Sequence, residues 1–271
     1  MKRQNARLLF ALVTLVALVL TACGAPAASG GGSDSTQPPA AAPTENVAQG
    51  QPQSADSAAP AVTTISKNIL LDPANATDAD SLSVIAYVYE GLFKVQGDSV
   101  TPMLAESYTV SDDGLDYIIH LRPNVTFQDG SPVNADAVIA NFNRWFDPND
   151  PAHGSGQYTT WVSFFGGFKG ETVEGGKPKS TFDGIEKVDE LTVIIHLNTP
   201  DGQFIAKLNN PAFDIVSPAA FGADYFGTSL GTASGTGPYK ISSWSDTGLT
   251  LEPFSGYWGT PATGTLNFQF K

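Results

Sequence analysis

His120, His153 and His196, the single thiol of Cys23, many carboxylates and the turn Gly235-Thr236-Gly237 are the places where chemistry could begin in this chain. A metal centre needs several ligands converging on one point. His120 and His196 lie in alternating stretches, on the opposite face from Ile119 and Leu121 and from Ile195 and Leu197, so both rings are expected to face solvent with no second donor nearby. No metal and no cofactor is expected. The Gly-Thr-Gly turn lacks the Lys-Ser/Thr of a phosphate-binding loop, and it runs into Pro238, which has no amide hydrogen to offer a phosphate. Acidic residues could pair, but spacing along the chain does not bring two of them the roughly 5–9 Å apart that glycoside hydrolysis uses. No catalytic residue is assigned, and nothing in the sequence argues for an enzyme.

Cys23 follows directly on an apolar run. Lys2, Arg3 and Arg7 precede residues 8–20, which are apolar apart from Thr14, and Leu20-Thr21-Ala22 lead into the cysteine. This is the layout of a secretory signal peptide over residues 1–22. The alternative, a membrane-spanning helix, needs about 20 apolar residues, more than this run supplies. Leu-Thr-Ala-Cys also resembles the lipobox of bacterial lipoproteins, in which the cysteine thiol takes a diacylglycerol. A thiolate is the nucleophile such an alkylation requires. Two acyl chains, at about 0.8 kcal/mol per buried CH₂, hold a membrane where one would be marginal. With no second cysteine, no internal disulfide forms.

The chain carries 14 basic and 27 acidic residues, a net charge of −13. Cleavage before Cys23 would remove three positive charges and no negative ones, lowering the net charge to −16. Such acidity excludes a nucleic-acid footprint and electrostatic attraction to anionic lipid. Residues 24–62 hold no Leu, Ile, Met, aromatic or basic residue, so burial cannot repay their ordering and a disordered linker is expected between Cys23 and a body that starts near residue 63.

Within that body, Thr77-Asp78-Ala79-Asp80 reads as a capping box with Thr77 as the cap. Leu82, Ile85, Tyr89 and Leu92 predict a helix over 78–90, with Gly91 as terminator. Strands are predicted at 93–95 and 107–110, and a turn at 111–114 joins the latter to alternating Leu115, Tyr117, Ile119 and Leu121. Asn134 caps a helix with Val138, Phe142, Trp145 and Phe146 on one side. Residues 188–200 echo 110–123, down to a shared Ile-Ile-His-Leu, and two similar hairpins in one sheet account for the echo. A short helix over 201–209 and strands through Ile241, through Leu249 and Leu251, and over 266–271 complete the pattern. Between the hairpins, residues 148–180 are irregular and hold His153, Tyr158, Trp161, Phe164, Phe165 and Phe168. A loop this long is often functional; the other reading is that its rings fill a local core.

Val88-Tyr89-Glu90-Gly91-Leu92, Pro102-Met103-Leu104-Ala105-Glu106-Ser107, Asp112-Asp113-Gly114-Leu115, His120-Leu121-Arg122-Pro123, Phe127-Gln128-Asp129-Gly130-Ser131-Pro132 and Ala135-Asp136-Ala137-Val138 follow one another in a recognisable order. With Gly235-Thr236-Gly237-Pro238-Tyr239-Lys240, Trp244 and Gly256-Tyr257-Trp258-Gly259, the series resembles the peptide/nickel family of substrate-binding proteins serving ABC importers, solute-binding family 5. The resemblance runs from about Asn68 onward. Gln128 departs from it, standing where the family often has His.

The resemblance implies an α/β, periplasmic-binding-protein-like two-lobed fold of the type II, large peptide-binding class, with mainly the first lobe present. Residues 63–265 would be lobe one and 266–271 the start of the crossover to a second lobe. The implied function is capture of a peptide outside the cytoplasm, closure of the lobes over it, and delivery to a membrane permease, with acylated Cys23 holding the protein to the bilayer. Nickel, haem or oligosaccharide carriage, or a lipoprotein adhesin or structural module without transport, are the alternatives. Tyr89 and Glu90, at the end of the first helix, and Tyr158, Trp161 and Phe164, in the aromatic segment, are the candidate ligand-facing residues. Tyr89 also suits the core by its spacing, and residues 235–239 are expected to shape the lobe.

Overall fold

The structure is a computed structural model and describes residues 62–97, 99–221 and 226–271. The expected signal peptide, Cys23 and most of the expected linker lie outside the described residues.

Alternation builds the first sheet. β4 (Ala105–Val110), β5 (Asp116–Leu121), β6 (Phe182–Asp189) and β7 (Thr192–Leu197) form an antiparallel sheet in the order β4-β5-β7-β6. The two echoing hairpins lie side by side, with Ile118 opposite Ile194 and His120 opposite Thr192. Their inward residues, Tyr117, Ile119 and Leu121 with Val193, Ile195 and Leu197, are all buried. The shared sequence thus reflects two central strands offering the same face to one core. Against this sheet packs α2 (Ala135–Phe146). Asn134 accepts a hydrogen bond from the Ala137 N–H at 3.0 Å, as a cap does, and Val138, Phe142, Trp145 and Phe146 are buried at helical spacing.

The irregular segment contains one more helix, α3 (Thr159–Phe165). Its rings complete the same core: Trp161 lies 4.6 Å from Phe165 and 5.1 Å from Phe182 between centroids, and Phe165 lies 5.5 Å from Phe213.

A second sheet has the order β1-β10-β9-β8, from β1 (Val62–Ile65), β8 (Tyr239–Trp244), β9 (Gly248–Pro253) and β10 (Leu266–Phe270). β1 pairs with β10 in parallel, so the first and last described strands are neighbours. α1 (Ala79–Val88) covers this sheet with Val84, Ile85 and Val88 in a separate core. Its cap is Asp78 and not Thr77: the Asp78 carboxylate accepts from both the N–H and the hydroxyl of Ser81, at 2.8 and 2.6 Å, two bonds that one threonine hydroxyl oxygen serves less well.

α1 also stops short of Gly91, because the Val88 carbonyl is already taken by the Gly237 N–H and by the Gln128 side chain, both at 2.9 Å. Gln128 amide hydrogens further reach the Tyr239 carbonyl at 2.7 Å, and its own N–H donates to the Gly235 carbonyl at 2.9 Å. The residue that departs from the family pattern is therefore a stitch joining a turn of the first sheet to the second. Gly235 is required beside it: a Cβ there would strike the Val88 carbonyl oxygen. β2 (Phe93–Gln96) and β3 (Ser99–Pro102) form a small hairpin, while α4 (Phe204–Lys207), a 3-10 turn (Pro211–Phe213) and α5 (Pro218–Phe221) return the chain from the first core to the second.

Candidate functional site

A concavity of about 820 Å³ opens where Asp72, Asn75, Arg144, residues 151–159, Phe221 and Phe226 meet. Asp72 follows Leu70 and Leu71 in the segment between β1 and α1, and Arg144 belongs to the last turn of α2. Asp72 and Arg144 are 6% and 2% exposed and face each other with Oδ1–Nη2 at 2.7 Å and Oδ2–Nη1 at 3.2 Å. Burial works against the Arg144 charge, but Asp72 outweighs it and holds the guanidinium more firmly protonated than usual. The rings of Phe221, Phe226 and Tyr158 surround the guanidinium, 4.8, 5.2 and 5.7 Å from its carbon.

Asp72 also accepts from the Ala74 N–H and the Asn75 amide, at 3.2 and 2.8 Å. Asn75 in turn accepts from the Tyr158 N–H at 3.2 Å. That bond fixes Tyr158 in the left-handed region, φ 44° and ψ 46°, a conformation that costs a non-glycine residue about 1–3 kcal/mol and is over-represented at ligand sites. Its hydroxyl donates to the His153 carbonyl at 2.8 Å. A Cβ on Gly156 would lie 2.7 Å from the Asn75 Oδ1 and 2.8 Å from the Tyr158 ring, so any larger residue there would displace one of them. The wall is thus held in one arrangement before any ligand arrives.

Of the five candidate ligand-facing residues, Tyr158 is in the wall of this concavity, yet it is 1% exposed and belongs to the first core. Trp161 does not line it and is buried in the first core, with its indole N–H donating to the Gly167 carbonyl at 3.0 Å. Phe164 is half-buried on the edge of the first core, 5.9 Å from Phe213. Tyr89 is buried in the second core; its hydroxyl donates to the Leu71 carbonyl at 2.9 Å, and burial pushes the phenol pKa far up.

Glu90, 5% exposed, accepts from the Tyr257 hydroxyl and the Trp258 indole, both at 2.7 Å, and from the Thr236 hydroxyl at 2.9 Å. It ties the Gly-Thr-Gly-Pro-Tyr turn to the Gly-Tyr-Trp-Gly segment. Burial raises its pKa against the pull of these donors. Asp214 is raised well above the ordinary carboxylate value, first by burial and then by the Glu90 charge. A folded-state pKa above the unfolded one means stability that is full below about pH 4 and lost as pH rises through the folded value. Asp214→Asn is therefore expected to raise the denaturation midpoint at pH 7 and to leave it unchanged near pH 3. An unchanged midpoint at pH 7 would show a well-solvated carboxylate.

One sequence expectation needs correction. His196 does have donors beside it: Asp116 Oδ1 lies 2.7 Å from Nδ1 and Glu186 Oε1 2.9 Å from Nε2. Strand pairing across β5, β7 and β6 brings them there from residues far apart in the chain. The two carboxylates flank opposite edges of the ring and share no common point, and among the described residues no group of three or more such side chains could hold a metal ion.

Asp72, Asn75, Arg144 and His153 were not singled out as a group by the sequence. One signal was available: Arg144 sits among the apolar positions of α2, and a buried arginine demands a buried acid.

This architecture is shared with solved periplasmic binding proteins of the peptide and nickel class. DppA from Helicobacter pylori, solved with the peptide STSA, aligns with a TM-score of 0.62 at 26% identity, over 78% of this chain and 41% of that one. HbpA2 from Haemophilus parasuis aligns at 0.63 and 29%, over 78% and 42%, and a nickel ABC transporter protein from Bacillus halodurans at 0.57 and 27%, over 78% and 38%. Residues 99–270 match the model of bacterial extracellular solute-binding proteins, family 5 Middle, and the chain belongs to that family. The glutathione-binding protein GsiB of Pectobacterium atrosepticum is 36% identical over 204 residues, 73% of this chain and 35% of that protein. The Escherichia coli GsiB is 35% identical over the same share. The chain thus spans about a third of the length of the curated relatives it matches.

Proposed function

We propose that this chain is the first lobe of an extracytoplasmic binding protein that captures peptides for an ABC importer, without bond chemistry, and hands them to a membrane permease. The observation that carries the reading is the rigid, partly aromatic concavity, whose volume lies in the range of small-molecule sites. One further fact supports it: relatives named for binding glutathione or solved with a peptide are 26–36% identical to this chain over about three quarters of its length.

In this reading the concavity is one wall of the solute site, and a second lobe reached through residues 266–271 supplies the other. Solute contacting both walls shifts the molecule from open to closed. A diacylglycerol on Cys23 keeps it beside the permease and raises its effective concentration there.

Calorimetric titration of the full-length protein with Ser-Thr-Ser-Ala, glutathione and longer peptides is expected to give saturable heat at one site per molecule. Membrane fractionation in the same cells is expected to find wild type with the membrane and Cys23→Ser in the soluble fraction. Absence of heat with every peptide would overturn the peptide reading, and a sedimenting Cys23→Ser would overturn the anchor.

A further inference from the structure

The buried polar groups around the concavity are paired, with one exception that can be reached. Asp72 accepts on both oxygens, Arg144 donates to it from both terminal nitrogens, Asn75 bonds through its oxygen and its nitrogen, and the Tyr158 hydroxyl donates to a carbonyl. The Arg144 Nε is unpaired but sealed from solvent.

His153 differs. The residue is 8% exposed and lines the concavity; its ring lies 4.4 Å from the Tyr158 ring at a 31° tilt, with the Phe168 ring edge-on at 5.3 Å. Nδ1 lies 2.7 Å from the Arg144 carbonyl oxygen, which can only accept, so the ring proton is on Nδ1. The neutral ring then presents a lone pair at Nε2, for which no described residue supplies a donor, and this nitrogen is not among the sealed, unpaired atoms. Open to the concavity, this nitrogen takes its donor from water or, when a solute is bound, from the solute.

We propose that His153 reads the solute: its Nε2 accepts a hydrogen bond from an amide N–H of the bound peptide, while Asp72, Asn75 and Arg144 hold the ring's surroundings without touching the solute through their paired atoms. The proposal rests on the peptide-binding reading above. The Arg144 carbonyl fixes the tautomer, and the Tyr158 and Phe168 rings fix the orientation. A peptide supplies what the wall lacks, a neutral donor, whereas an anion would meet a lone pair and a carboxylate already neutralised by its arginine.

Diethyl pyrocarbonate tests this on the full-length protein, because it acylates an imidazole nitrogen that carries an accessible lone pair. His153 is expected to label, and saturating Ser-Thr-Ser-Ala or glutathione is expected to protect it while exposed His120 labels at an unchanged rate. His153→Asn, which keeps a donor for the Arg144 carbonyl but has no atom at Nε2, is expected to bind the protecting peptide about fivefold to tenfold more weakly, one hydrogen bond's worth. His153→Gln, which places an amide near Nε2, should recover part of the loss. Peptide binding with no protection of His153, or with full affinity in His153→Asn, would overturn the assignment and leave the peptide reading standing. No binding by any peptide would overturn both.

Discussion

Replacing Arg144 by methionine is expected to lower the unfolding free energy by about 3–5 kcal/mol, because it leaves Asp72 as an unpaired buried carboxylate. Both members are almost wholly inside, so solvent does little to screen the loss. Chemical denaturation of wild type, Arg144→Met, Asp72→Asn and the double variant would measure the coupling between the two groups. The double variant should recover much of the loss, since no charge is then stranded, although the Ala74 N–H and the Asn75 amide lose a charged acceptor. A single-variant loss below about 1 kcal/mol, the level of an exposed pair, would mean that water reaches the site. The consequence for function follows from position: the pair anchors α2 to the segment that leads into Asn75, and Asn75 holds Tyr158. Under the proposed function, solute affinity should therefore also fall in Arg144→Met even where the protein remains folded.

Trp161→Ala should cost a similar amount, about 3–5 kcal/mol, for a different reason. The indole is 1% exposed and meets Trp145, Phe146, Phe165, Phe182 and Phe213, so truncation opens a cavity that rigid rings cannot collapse to fill. The Gly167 carbonyl also loses its donor. Trp161→Phe, which keeps most of the volume, should cost clearly less. This series distinguishes a core residue from a ligand platform: a platform would give Trp161→Ala normal stability and weak peptide binding. The expected order is lost stability first, with any change in binding following from it.

The strands and helices were largely legible because their residues obey simple periods. Tyr117, Ile119 and Leu121 alternate and are buried, and Val138, Phe142 and Trp145 recur at helical steps and are buried. Each difference concerns one or two residues, and two of the three have causes far away in the chain. Thr77 looked like a cap, but the neighbouring Asp78 makes two bonds to Ser81 where a threonine oxygen serves two poorly. α1 was expected to run on towards Gly91, but Gln128, some forty residues later, takes the Val88 carbonyl. His196 looked isolated until strand pairing set Asp116 and Glu186 on either side of it.

The alternating strands, the helical spacing of α2, the acidic composition and the family resemblance are legible without coordinates, since they depend on residue types at short spacing or in a fixed order. Only the tertiary structure decided which side chains form the concave wall. Asp72, Arg144 and Tyr158 come from three separate segments, and they meet because α2 buries its arginine against the segment before α1. The same packing buries Trp161 and Tyr158 alike in the first core, with Tyr158 also in the wall of the concavity. Periodicity records which residues avoid water, but not which cavity the avoided water leaves behind.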